Sequence, residues 1–146
     1  QALSQYRILV PSAVPAELAV SFAIADLYEK NGDVDLAVHE YKNIANDGAT
    51  QQADWFTAVS KLIVLYQSQQ PAKADFWRQK TLDRFGRKIQ TLAGDEQKLV
   101  LQSAAHFADQ ANTTFKRITL KAPLQQSLAR KQKALLASVE RYQTLV

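Results

Sequence analysis

Few side chains in this 146-residue sequence could do chemistry. There are two histidines, His39 and His106, four glycines and no cysteine. Lacking a thiol, the chain has no disulfide, no cysteine nucleophile and no thiolate zinc site. Each histidine stands alone on its predicted helix, with a single carboxylate at helical metal-site spacing, Asp35 for His39 and Asp109 for His106. Both therefore read as surface or boundary residues rather than ligands. A Ser-His-Asp set drawn from distant parts of the chain stays open in principle. No Gly-x-Ser-x-Gly elbow accompanies one, and glycines confined to helix ends cannot build a phosphate-cradling loop. Carboxylate pairs remain: Asp26 with Glu29, and Asp33 with Asp35, each with acid–base potential. The second pair falls at a predicted helix start, where negative side chains favour the helix dipole, so capping accounts for it. The chain is read as a non-enzyme with no cofactor and no metal.

The elements that place these residues follow from the punctuation. Pro11, Pro15, Pro71 and Pro123 all lie between periodic segments, where a missing N–H stops a helix. Gly32, Gly48 and Gly94 mark further breaks beside Asn31, Asp33, Asp47 and Asp95. Seven helical segments result, roughly 1–10, 16–31, 34–47, 51–70, 72–90, 95–117 and 123–145. In the second, Leu18, Phe22, Ala25 and Tyr28 share a face, with Ala19, Ala23 and Leu27 alongside; in the last, Leu124, Leu128, Leu135, Val139 and Tyr142 do. No segment alternates as a strand would. Short connections make consecutive helices antiparallel neighbours, and the pattern is a stack of helical hairpins.

A repeat is visible within it. Across 16–47, the positions Ile24-Ala25, Tyr28, Gly32, Ala37 and Tyr41 form a skeleton. A small residue on the first helix admits the second, an aromatic fills the hairpin core, and Gly turns the chain. A small residue on the second helix then faces the first, and another aromatic closes the packing toward the next repeat. This skeleton resembles the tetratricopeptide repeat (TPR) family. Ala2 and Tyr6 repeat the spacing of Ala37 and Tyr41, so 1–10 resembles the end of a preceding repeat. That match, with the absence of any methionine, predicts a fragment of a longer protein. Segment 51–90 is a divergent repeat, with Leu62 and Tyr66 in place but Gln70 at the turn, and 95–145 is a long divergent hairpin. The stretch Phe115 to Leu124, with Ser127 to Lys131, resembles large TPR proteins of Gram-negative cell envelopes, which implies the periplasm or envelope, with the cytoplasm as the alternative.

The family resemblance implies an all-α, right-handed solenoid over 1–146, about three hairpins preceded by the end of another helix. It also implies a concave groove lined by the first helix of each repeat. In this register Phe22, Asp26, Glu29 and Lys30, with Ala19, line the groove from the first repeat, and Thr57, Ser60, Val64, Gln67 and Ser68 from the second. An apolar side chain of a partner would lie on Phe22 and a basic one near Asp26 and Glu29. Trp55, opening its helix, is the expected interface anchor, and Trp77, beside Phe76, the expected core residue. The expected role is a scaffold that docks a partner protein or peptide, with self-association through exposed solenoid ends as a further possibility. Residues 1–73 carry a net −3 and residues 74–146 a net +7. Basic clusters at Arg78, Lys80, Arg84, Arg87 and Lys88, and at Arg130, Lys131 and Lys133, raise nucleic-acid binding as an alternative, though Phe85 is the single aromatic among them and no groove-reading motif accompanies either. The remaining alternative is a non-catalytic arm of a larger enzyme. No apolar run is long enough to span a bilayer.

Overall fold

The computed structural model describes residues 14–118 and 124–144. The expected helix end at 1–10, with Ala2 and Tyr6, lies outside the described residues, as do Pro11 and Thr119 to Pro123. Regular structure among the described residues is entirely helical: α1 (Val14–Asn31), α2 (Val34–Asn46), α3 (Gln52–Gln69), α4 (Pro71–Phe85), a 3₁₀ segment (Gly86–Thr91), α5 (Gly94–Arg117) and α6 (Leu124–Gln143). Helix α1 starts two residues earlier than the proline rule predicts. Pro15 is accommodated because first-turn N–H groups have no partner within the helix.

The chain divides into two compact units, Gln1–Trp77 and Arg78–Val146, with the division inside α4. The division sharpens the charge asymmetry read from the sequence. Five Lys/Arg against nine Asp/Glu give the first unit −4, while thirteen against five give the second +8.

In the first unit α1 packs on α2 and α2 on α3. The turn between α1 and α2 is a Schellman closure. The Gly32 N–H donates to the Glu29 carbonyl at 3.2 Å and the Asp33 N–H to the Tyr28 carbonyl at 2.9 Å. Gly32 has φ +83°, the left-handed conformation this closure demands. Behind the turn, Ala25 and Ala37 are fully buried, as is Tyr41 one turn beyond Ala37. Here the absence of side-chain bulk sets the helix separation. The link to α3 is closed by the Ala49 N–H on Asp47 Oδ1 at 2.9 Å and by Thr50 Oγ1 donating to the Ile44 carbonyl at 2.7 Å. Helix α3 buries Trp55, Phe56, Ala58, Val59, Leu62, Ile63 and Tyr66. No glycine is needed between α3 and α4, because Gln70 keeps a negative φ of −138° and Pro71 occupies the first helical position.

In the second unit α5 packs on α6. The run predicted as helix over 72–90 is α-helical only to Phe85 and then tightens into the 3₁₀ segment. Gly86 weakens the helix at that point, and Arg84, Arg87 and Lys88 would stack like charges three and four residues apart if it continued. Thr91 Oγ1 donates to the Lys88 carbonyl at 2.7 Å and the Leu92 N–H to the Ile89 carbonyl at 3.2 Å, which ends the segment. Helix α5 then starts with Glu96 Oε2 accepting the Ala93 N–H at 3.1 Å.

The apolar face expected on the last helix is not the one turned toward α5. Leu128, Leu135, Val139 and Tyr142 stay substantially exposed, as does Leu136. The more covered positions are Ser127, Lys131, Ala134, Ser138 and Arg141. Lys131 Nζ lies 5.3 Å from the Phe115 ring centroid, and the Arg141 guanidinium carbon 5.1 Å from that of Phe107. Cation–π contacts and long aliphatic stems thus do the work usually given to leucines.

The turn geometry gives a stability prediction. Gly32→Ala forces an L-residue into the left-handed region and should lower unfolding free energy by about 1–2 kcal/mol. No atom lies within 4 Å of the added Cβ, so the loss reports backbone strain alone. Gly48→Ala, at a position without positive φ and equally open, should change stability by less than about 0.5 kcal/mol. Urea denaturation of the two variants reads the difference, and equal losses would show that the turn does not depend on its conformation.

Candidate partner-binding face

Helix periodicity puts Asp26 and Glu29, three residues apart, on one side of α1. The Gly32 closure sends α2 back along α1, which brings Tyr41 opposite them, and α3 adds Lys61 from a third helix. Tyr41 donates its hydroxyl to Asp26 Oδ1 at 2.8 Å and approaches Glu29 Oε2 at 3.1 Å. Lys61 Nζ donates to Glu29 Oε2 at 2.9 Å and sits 3.5 Å from Asp26 Oδ1. The same ammonium lies 6.0 Å from the Tyr41 ring centroid, and the Phe22 ring is tilted against Tyr41 at 6.3 Å. Two carboxylates, one ammonium and one phenol from three helices thus form a single cluster with a net charge of −1.

Its electrostatics follow from these contacts. The Tyr41 hydrogen bond holds the Asp26 carboxyl below its ordinary value against the opposing effect of burial, and Lys61 adds to the lowering. Burial, then the bond to Asp26, pushes the Tyr41 phenol well above the ordinary tyrosine value. The Glu29 hydrogen bond raises Lys61. Tyr41 is therefore a committed donor and Lys61 a committed cation across the physiological range. The cluster is ill suited to proton transfer near neutrality, because none of these shifts moves a group toward pH 7.

Against the groove positions predicted from the sequence, Asp26 and Glu29 are brought together but already paired inside the chain, with side chains 51% and 31% exposed. Phe22 is half-buried against Tyr41, and Lys30 is exposed. Thr57, Ser60 and Gln67 are exposed on α3, with Thr57 Oγ1 bonded back to the Ala53 carbonyl at 3.0 Å, and Val64 is 63% exposed. Trp55 is 3% exposed, its ring edge-on to Phe56 at 5.4 Å, so it supplies core contact where an interface anchor was expected. Trp77 is buried, as expected. His39 is exposed; His106 Nε2 is 3.0 Å from Gln110 Nε2, with its ring against Phe107. Among the described residues no group of three His, Cys, Asp or Glu side chains converges as metal ligands would.

Lys61 is absent from the groove set predicted from the sequence. The available signal was its isolation, as the only basic residue in an 18-residue helix whose only acid is Asp54. No protein-family model matches the chain, and neither a curated protein nor a solved structure shows significant similarity to it.

Removing the phenol oxygen tests the cluster. Tyr41→Phe keeps the ring packing and should cost about 1.5–3 kcal/mol, the range for a hydrogen bond to a charged acceptor. Asp26 contributes stability above the ordinary aspartate value and loses it as pH falls through its depressed one. Lys61 and Tyr41 contribute fully below their ordinary values and lose it as pH rises through their raised ones. Stability should thus be flat from roughly pH 5 to 9 and fall on both sides. Carboxyl NMR titration should show Asp26 moving up toward its ordinary value in Tyr41→Phe, and an unmoved titration would show that the hydroxyl does not control it.

Proposed function

We propose that this chain is a module of TPR-like repeats that docks a segment of another protein on the face shared by α1 and α3, without catalysis and without a cofactor. In this reading its hairpins belong to a right-handed solenoid, and the protein works in the bacterial periplasm or envelope, as the resemblance at 115–124 and 127–131 implies. No helix among the described residues is long and apolar enough to cross a membrane.

One observation carries the reading. Around the prearranged Asp26–Glu29–Lys61 cluster the two helices leave a band of accessible side chains of mixed character: Lys30, Thr57, Ser60, Val64 and Gln67, with Phe22 half-buried at its edge. Lys61 holds the carboxylates in place without cancelling both charges, so the cluster keeps one negative charge with little side-chain entropy left to lose. A partner segment presenting an apolar residue to Phe22 and Val64 and a Lys or Arg to Asp26 complements it.

Peptides selected from a random display library on the immobilised chain should be enriched in an apolar residue within a few positions of a Lys or Arg. Val64→Arg, which alters the face without touching the cluster, should weaken them about tenfold, equivalent to about 1.4 kcal/mol. Peptides that bind the variant unchanged would place docking elsewhere. Retention of polyanions alone, released by salt, would replace this reading with nucleic-acid binding by the basic unit.

A further inference from the structure

The second unit contains a cleft of about 390 Å³ unrelated to the α1–α3 face. Its apolar side is formed by Leu82 of α4, Ile89 of the 3₁₀ segment, and Val100 and Leu101 of α5. Leu101 is among the exposed large hydrophobic residues of the chain. Two guanidinium groups from separate elements, Arg87 and Arg141, line the same cleft. Arg141 is held by stacking on Phe107. Arg87 is exposed and has no side-chain partner among the described residues. The lining has one carboxylate, Asp83, and its Oδ1 already accepts Gln79 Nε2 at 2.7 Å. An apolar floor beside two guanidinium groups and one carboxylate, a net charge of +1, matches a ligand with a hydrocarbon body and a single anionic head.

We propose that this cleft binds a medium- or long-chain fatty acid, its alkyl chain on Leu82, Ile89, Val100 and Leu101 and its carboxylate between Arg87 and Arg141. The volume falls within the range of about 300–1,000 Å³ typical of small-molecule sites. The break of α4 at Gly86 creates the opening: the 3₁₀ turn carries Arg87 and Ile89 to the cleft, and Gly86 itself lines it. A Cβ at Gly86 would meet no atom within 4 Å, and its φ is not positive, so a larger side chain can enter the cleft without backbone strain. That makes Gly86 a means of closing the site while leaving the fold intact.

The test is calorimetric titration of the 146-residue chain with decanoate below its micelle concentration, beside decanol and decyltrimethylammonium, with binding mapped by amide chemical shifts. Decanoate should saturate one site, shift amides around Gly86 to Ile89 and Val100 to Ala104, and bind at least about tenfold more tightly than either control. Gly86→Leu should abolish binding, and Arg87→Glu should reduce it about tenfold or more while melting like the parent chain. If Gly86→Leu fails to fold, the Arg87→Glu comparison still reads the charge dependence. No saturable binding, equal binding of decanol, unchanged affinity in Arg87→Glu, or shifts on the outer face of α6 at Leu128 and Leu136 would each overturn the assignment.

Discussion

The arrangement of the first three helices turns on the hydroxyl of Tyr41. Its residue is completely buried, so the polar end of the ring must find an acceptor or carry the cost of desolvation. The acceptors are two carboxylates on α1, close enough to each other to need a cation, and the cation arrives from α3. Each requirement creates the next. Satisfying one buried phenol thereby sets the rotation of α1, the approach of α2 and the register of α3, which apolar packing alone specifies only loosely. No buried side-chain nitrogen or oxygen among the described residues is left without a partner, so this chain of requirements closes.

Much of this hairpin was legible in the sequence because its parts act over short distances. Gly32 between two capping residues announces a turn that only positive φ can make, and Ala25 and Ala37 announce close helix approach. All three do what their chemistry requires. Helix limits were legible from proline and glycine for the same reason. Asp26 and Glu29 were legible as a surface pair, but their engagement was not. Lys61 lies 32 residues from Glu29, and no local rule connects them. Trp55 misled because its size and position suit an anchor and a core residue equally, and only the third dimension separates the two.

The second unit was harder to read, for a different reason. Periodicity marks the apolar stripe of α6 but not which stripe a neighbour will cover. The stripe of Ser127, Ala134 and Ser138 has little bulk and permits close contact with α5, while Lys131 and Arg141 reach over Phe115 and Phe107 to complete it. Small size competes with hydrophobicity as a basis for packing, and hydrophobic patterning takes no account of it. The 3₁₀ segment was hidden in the same way. Its cause is repulsion among Arg84, Arg87 and Lys88 at a glycine, a conflict that arises only if the helix continues.

Among the described residues five alanines, Ala25, Ala37, Ala58, Ala74 and Ala108, have no accessible surface at all. Each is held by what it lacks, since any larger residue would have to displace a neighbouring helix. Variation accumulating in this chain would therefore fall on its exposed leucines sooner than on these alanines. The usual expectation, that bulky hydrophobic residues are the anchors of a lineage and alanines its neutral filler, would be inverted here. An ancestor reconstructed for such a fold would be most secure at its smallest side chains.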